Sequence, residues 1–594
     1  MMDQRNFILA IVFSAAILFG YEYFFVSRAP APAPEELIQG ELILPLSQDV
    51  NRPVPIPGGA SDQTAIPSVS GTSAGFQPEA VDRETALRAS PRVRINSLRL
   101  NGSIALKGAR IDDLTLIDYR RTKDTTSPEI VLLSPATPNS GYFGEFGWVA
   151  SEDVSVPDSQ TIWNADRETL TTERPVTLKW NNGAGLIFER TYSIDQDYMF
   201  TVTQRVINTS GAAVTLHPYG LVQRRSTPEV SGFFILHEGL VGFMGGSLVE
   251  TSYSGIEDAV VRVNGLDTLG LEEYETTGGW MGITDKYWLA VLVPDQKEHL
   301  KARYKHWVVG NSSRYQADYL GTARTIASGS QQQVTNRLFA GAKEVQLLDR
   351  YQETLDIPEF WRAIDFGWFH FLTKPIFYAL IYIHEVVGNF GIAILLLTVG
   401  VKLAFFPLAN KSYRAMSNMK RLQPEMVKLR ERYGDDKARL NQEMMALYKR
   451  EGANPVSGCL PMVVQIPVFF SLYKVLFVTI EMRQAPFFGW IQDLSQADPT
   501  TIFNLFGLIP WSPPELIAHF GVWPLLMGAT MFLQQRLNPQ PADPVQAKIF
   551  LFMPLIFMIL LASFPAGLVI YWAWNNILSI AQQWVIMRRM GVKI

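Results

Sequence analysis

The chain has 594 residues, with 52 Lys and Arg against 56 Asp and Glu, a formal net charge of −4 and a pI of about 6.1. No global basic field suggests nucleic acid as a partner. A single cysteine, Cys459, excludes an intrachain disulfide framework and a Cys-based zinc cluster, and reads as a small buried hydrophobe.

The N-terminal run from Phe7 to about Val26 is apolar and ends in Tyr-Glu-Tyr-Phe-Phe. It is longer than the roughly 7–15 residues of a cleaved signal's apolar region, so residues 1–28 read as an uncleaved anchor. Residues 29–90, rich in Pro, Ala, Ser, Gly and Gln, read as a flexible linker. From 91 to 349, short alternating runs such as LTLIDY, PVTLKW and LIFERTYSID are punctuated by Asn-Gly and Ser-Gly, which predicts a β-sandwich. His217, His237 and His299 have no metal-ligand spacing, and Glu145 and Glu189 read as solvated or capping acids, so no activity is assigned to this domain.

Residues 350–387 mix aromatic and apolar residues with Arg362, Asp365, His370 and Lys374. Four ionisable groups are costly in a spanning helix and cheap in an interfacial amphipathic one, which is the expectation here; a further span is the rival. Residues 388–408, GNFGIAILLLTVGVKLAFFPL, are long enough to cross a bilayer. They carry Lys402 about six residues from the end marked by basic sequence. Either its stem snorkels to the headgroups or it faces a wet intramembrane cavity.

Residues 409–458 hold Met416, Met419, Leu422, Met426 and Leu429, then Leu440, Met444 and Leu447, around a Gly434-Asp435-Asp436 turn. This predicts a helical hairpin, cytoplasmic by its excess of Lys and Arg. Further spans are expected at 459–481, 522–537, 549–564 and 566–587. The loop 482–521 is base-free from Gln484 on, the loop 538–548 ends in Lys548, and the tail 588–594 contains Arg588, Arg589 and Lys593. With the anchor, this gives six spans, both termini cytoplasmic and the β domain outside. Two spans of about sixteen residues, roughly 24 Å, would thin a core of about 30 Å.

Polar residues cluster toward the cytoplasmic half. Thr398 is one turn from Lys402, Gln465 lies at similar depth in the next span, and Gln535 ends the fourth. Trp572, Asn575, Ser579 and Gln582 form one stripe on the last helix, and Tyr571 is taken with them. Helix-packing glue is the alternative for the amides. Together these residues outline a groove open to the cytoplasm, with Lys402 as its fixed charge.

The ordered runs KLAFFPLANKSYRAMSNMKRLQPEM, ERYGDDKARLNQEMMALYK, NPVSGCLPMVVQIPVFFSLYKVL, RQAPFFGWIQDLS and FPAGLVIYWAWNNILSIAQQ resemble the YidC/Oxa/Alb membrane protein insertases, densely from about 357 to 590. The anchor, linker and β domain match the Gram-negative layout. The resemblance implies a polytopic α-helical protein of the bacterial inner membrane: a five-helix insertase core with a hydrophilic groove, a cytoplasmic hairpin that helps recruit substrates and a periplasmic β-supersandwich. Implied partners are newly made membrane proteins, the Sec translocon, the lipid bilayer, and the ribosome and signal recognition machinery through the cytoplasmic loops and tail. No nucleic-acid contact is implied beyond the ribosome. The family's groove charge is usually arginine and falls on Lys402, which keeps the charge but loses the planar fork. Lys474 departs from the neutral residue expected there and is read as snorkelling outward.

The function expected is non-enzymatic insertion, folding and assembly of membrane proteins, alone or with the Sec translocon, without cofactor or metal. A Sec-dependent assembly factor is the alternative. A small-solute transporter would call for inverted repeats and broken helices, which the sequence lacks. An enzyme acting on envelope sugars would call for an acid pair, and no recognisable spacing supplies one.

Overall fold

A computed structural model describes residues 82–591 except 138, 151–153, 232–235, 264–265, 435, 453–459, 512, 515–518 and 539–543. The expected anchor, all but the end of the linker, Asp435, Cys459, much of the loop 538–548 and the tail beyond residue 591 lie outside the described residues. The linker expected through residue 90 ends earlier. Helix α1 (Arg83–Arg88) is capped by Asp82, whose carboxylate accepts from the Thr85 N–H at 2.8 Å, and Arg83 pairs with Asp113.

Strands from Arg92–Asn96 to Gln331–Ala342 build the β domain. Among the described residues they form sheets of 11 and 9 strands and one two-stranded ribbon. Alternation sets which side chains face the core: Leu186–Ile194 is buried at every second residue. A short helix, α2 (Tyr253–Asp258), lies between strands. Glu145 is neither solvated nor a cap. It is buried, accepts from Arg110 Nε at 2.6 Å and from the Tyr219 hydroxyl at 2.9 Å, so its charge is paired as burial requires. Glu189 likewise binds Arg205 and Lys179.

The single interfacial helix expected over 350–387 is broken. Helix α3 (Val345–Leu355) ends where Asp356 takes φ 52°, Pro358 follows, and Glu359 takes φ 49° before a short 3₁₀ turn, Phe360–Ala363. Two left-handed residues around a proline cannot continue a helix. Helix α4 (His370–Val387) then starts afresh. The chain continues as α5 (Phe390–Ala404), α6 (Phe406–Tyr433), α7 (Lys437–Arg450), α8 (Leu460–Val478), α9 (Val522–Leu537), α10 (Pro544–Leu561) and α11 (Ala566–Arg589).

The helix expected over 388–408 stops at Ala404. It bends by 70° at Phe405 because Pro407, in the first turn of α6, has no N–H to donate to the Leu403 carbonyl and its ring would clash with that carbonyl in a continuous helix. Helix α10 begins at Pro544 and ends at Leu561, against the expected 549–564. Among the described residues no single helix is both long and apolar enough to cross a membrane, whereas the bent pair α5–α6 passes when taken together. Helix α7 folds back on α6, with the Tyr448 hydroxyl 3.6 Å from Met426 Sδ and Arg450 3.2 Å from Glu425.

The β and helical parts share one continuous apolar cluster that reaches from Val93 through Trp280 and Phe360 to Tyr571. At this joint Lys474 does not snorkel. Its ammonium donates to Asp365 Oδ2 at 2.8 Å, and the same oxygen accepts from the His237 N–H at 3.2 Å. Lys474 is only 15% exposed, so a nearby carboxylate is the cheaper partner. Lys286 lies 3.7 Å above the Phe477 ring, and Arg483 donates to the Arg120 carbonyl at 2.6 Å.

Candidate functional site

Helices α5 and α11 run side by side away from the β domain. At the near end Asn389 donates to the Phe487 carbonyl at 3.3 Å, and the Ala566 N–H donates to Gln496 at 2.6 Å. At the far end Arg421 of α6 donates to the Met590 carbonyl at 2.7 Å. Lys402 sits in the last turn of α5, where the C-terminal carbonyls favour a cation. Its Nζ donates to Ser579 Oγ of α11 at 2.7 Å, and that hydroxyl donates onward to the Asn575 carbonyl at 2.8 Å.

Lys402 borders a cavity of about 710 Å³ between α5, α6 and α11. Val399, Leu403 and Phe406 form one wall and Leu578, Val585 and Ile586 the other. Among the described residues its lining includes three cations, Lys402, Arg414 and Arg589, and no Asp or Glu. Gln582 also lines it, and among the described residues its buried Nε2 has no hydrogen-bond partner; Asn575 Oδ1 is buried without one as well. Unsatisfied polar groups beside an open cavity are suited to water or to a polar guest.

The other sequence-selected residues are placed elsewhere. Thr398 is 2% exposed and its hydroxyl is spent on the Ile394 carbonyl of its own helix at 2.7 Å. Gln465 donates to the Tyr571 hydroxyl, joining α8 to α11. Gln535 donates to the Phe550 carbonyl and joins α9 to α10. Trp572 packs its ring at 4.6 Å from Phe469 and 5.9 Å from Phe557. None of these five, nor Asn575 or Ser579, is among the residues lining the Lys402 cavity, although Ser579 holds its ammonium. The amides of Gln465 and Gln535 thus join helices, the alternative the sequence left open.

Arg414 and Arg589 were missed by sequence reasoning. A signal existed: the face of α11 that carries Gln582 runs at three-and-four spacing past the apolar Val585 and Ile586 to Arg589, and Arg414 is four residues beyond Asn410 on α6.

The model for the YidC periplasmic domain matches residues 92–379 and that for the 60Kd inner membrane protein matches 382–593. The membrane protein insertase YidC of Methylobacterium nodulans is 52% identical over 596 residues, covering 100% of this chain and 96% of that protein. That of Bradyrhizobium diazoefficiens is 49% identical, with 100% and 97% covered. A crystal structure of an active YidC insertase aligns with a TM-score of 0.34 at 16% identity, covering 83% of this chain and 92% of that one. With both halves matched and half of all residues shared along the whole length, the chain belongs to the YidC family of membrane protein insertases, non-enzymatic proteins of the bacterial inner membrane that carry a periplasmic domain.

Proposed function

We propose that this insertase admits the short, outside-bound segment of a substrate into the cavity beside Lys402. The fixed charge attracts acidic residues while the substrate's apolar helix leaves sideways into lipid. The observation that carries this reading is the Lys402 ammonium, held on Ser579 at the edge of a cavity whose lining, among the described residues, has three cations and no acid. Moving polar groups across hydrocarbon is the main cost of insertion, and a wet cavity shortens the dry path.

The orientation follows from charge and contact. The base-free loop after Gln484 meets the β domain, with Gln492 3.0 Å from Lys123 and Ser495 3.5 Å from the Tyr287 hydroxyl. The basic ends of α6 and α11 lie at the opposite pole, which supports a cytoplasmic reading of that pole. In this reading there are six spans, including the N-terminal anchor, and both termini are inside. Helix α4, tied to Asp349 by Lys374 at 2.7 Å, lies in the outer interface. The α6–α7 hairpin and the tail face the cytoplasm, where the ribosome and signal recognition machinery meet them, and the spans pack beside the Sec translocon when it takes part. Apolar burial drives the reaction, helped by a membrane potential of about 2.3 kcal/mol per charge per 100 mV.

A charge swap tests the reading. With a cysteine at Ala581 and another in the substrate's acidic segment, in a Cys459→Ser background, wild type should cross-link during insertion. Lys402→Glu should lose the cross-link and regain it when the substrate's acids become lysines. Cross-linking indifferent to both changes would refute the electrostatic role.

A further inference from the structure

The mouth of the cavity carries more charge than one groove lysine explains. Arg414 and Arg589 line the same cavity from different helices, and neither makes an ion pair among the described residues. Two like charges facing one space repel unless an anion lies between them. The walls below them are apolar and open to the side: Leu403 is 67% exposed, Phe406 46% and Val585 41%. Along α11 the wall from Leu578 to Arg589 is about 16 Å tall at 1.5 Å per residue. That is about half of a hydrocarbon core of ~30 Å, the depth of one leaflet. A free phosphate would satisfy the arginines and leave the apolar wall wet.

We infer that this mouth is a binding site for an anionic phospholipid, its phosphate between Arg414 and Arg589 and an acyl chain along the wall of α5 and α11. The inference rests on the reading that this pole faces the cytoplasm, where anionic headgroups meet basic pockets between spanning helices. The site gives the lateral opening an occupant that matches it in charge and in depth. Lys402, already bonded to Ser579 a leaflet's depth below, stays available to the substrate.

Native mass spectrometry of the purified full chain with equimolar phosphatidylglycerol and phosphatidylcholine tests this. Wild type should retain the anionic lipid roughly tenfold or more over the zwitterionic one, and Arg414→Gln with Arg589→Gln should abolish the preference. Replacing both by lysine should keep it. Ala581→Phe, which fills the wall without touching a charge, should lower retention of both lipids; unchanged retention there would overturn the inference even if the glutamine variant does not fold. Equal retention of the two lipids by wild type, an unchanged preference in a folded glutamine variant, or displacement by millimolar inorganic phosphate would each overturn it. Lys402→Ala keeps the two readings apart. It should slow insertion of acidic-tailed substrates about tenfold and keep the lipid preference, so unimpaired insertion refutes the groove while absent lipid preference refutes only this site.

Discussion

In the proposed reading, Lys402 can serve where the resemblance implies an arginine. Its ammonium has one built-in acceptor, Ser579 Oγ, and sits in the last turn of a helix, so the charge is stabilised without a carboxylate that would neutralise it. Lys402→Arg should therefore support insertion, whereas Lys402→Ala should slow insertion of acidic-tailed substrates about tenfold, the worth of one screened charge contact. Protease protection of the inserted segment reads both. In the β domain, Lys343 is buried, donates to Thr284 Oγ1 at 2.9 Å, and is pushed by burial from 10.5 down to about 8. Because the folded pKa lies below the unfolded one, folding disfavours the charged form. The penalty is fully present below about pH 8 and disappears as pH rises to about 10.5. Lys343→Met should raise the melting temperature at pH 7, by at most about 3 kcal/mol of stability, and the gap should close toward pH 10.5. A constant gap would mean that Lys343 is freely solvated, with the same pKa folded and unfolded.

At the scale of elements, two joints hold the helices in place. Gly391 of α5 packs against the loop after α8: a Cβ there would lie 1.9 Å from Phe487 Cδ2. Gly391→Ala should displace that ring and cost about 1–3 kcal/mol, read as a lowered melting temperature. The second joint is Asp365–Lys474. Lys474→Met alone leaves the Asp365 carboxylate with only backbone donors and should loosen the β domain from the helices, visible as faster proteolysis between α3 and α4. Adding Asp365→Asn should restore part of the resistance, since removing both charges costs less than stranding one. Elements were legible where periodicity was strong: the alternation of the β domain and the seam of Leu422, Met426 and Leu447, all buried. The breaks at Phe405 and at Asp356 were not read, although Pro407 and Pro358 marked both. Proline signals a break without giving its angle, and the left-handed residues that turn the chain at Asp356 and Glu359 have no sequence signature.

For the whole molecule, the helices stand on the β domain through a shared apolar core rather than a flexible tether. Trp280 donates to the Pro358 carbonyl at 2.9 Å across that boundary. Family and layout were legible because long runs of sequence carry them. The cavity was only half legible. The stripe on α11 pointed toward Lys402 through Ser579 and Gln582, but the partners of Gln465, Gln535 and Lys474 depend on how helices rotate against one another, which spacing along one chain does not encode. The central claim is that one fixed charge in a lateral cavity draws acidic segments across the bilayer without nucleotide. The most direct test is reconstitution of the purified protein into liposomes with a single-span, acidic-tailed substrate, scored by protease protection in the absence of nucleotide, with wild type and Lys402→Ala in parallel. The account predicts protection with wild type and a strong loss with the variant. Equal protection with both would contradict it.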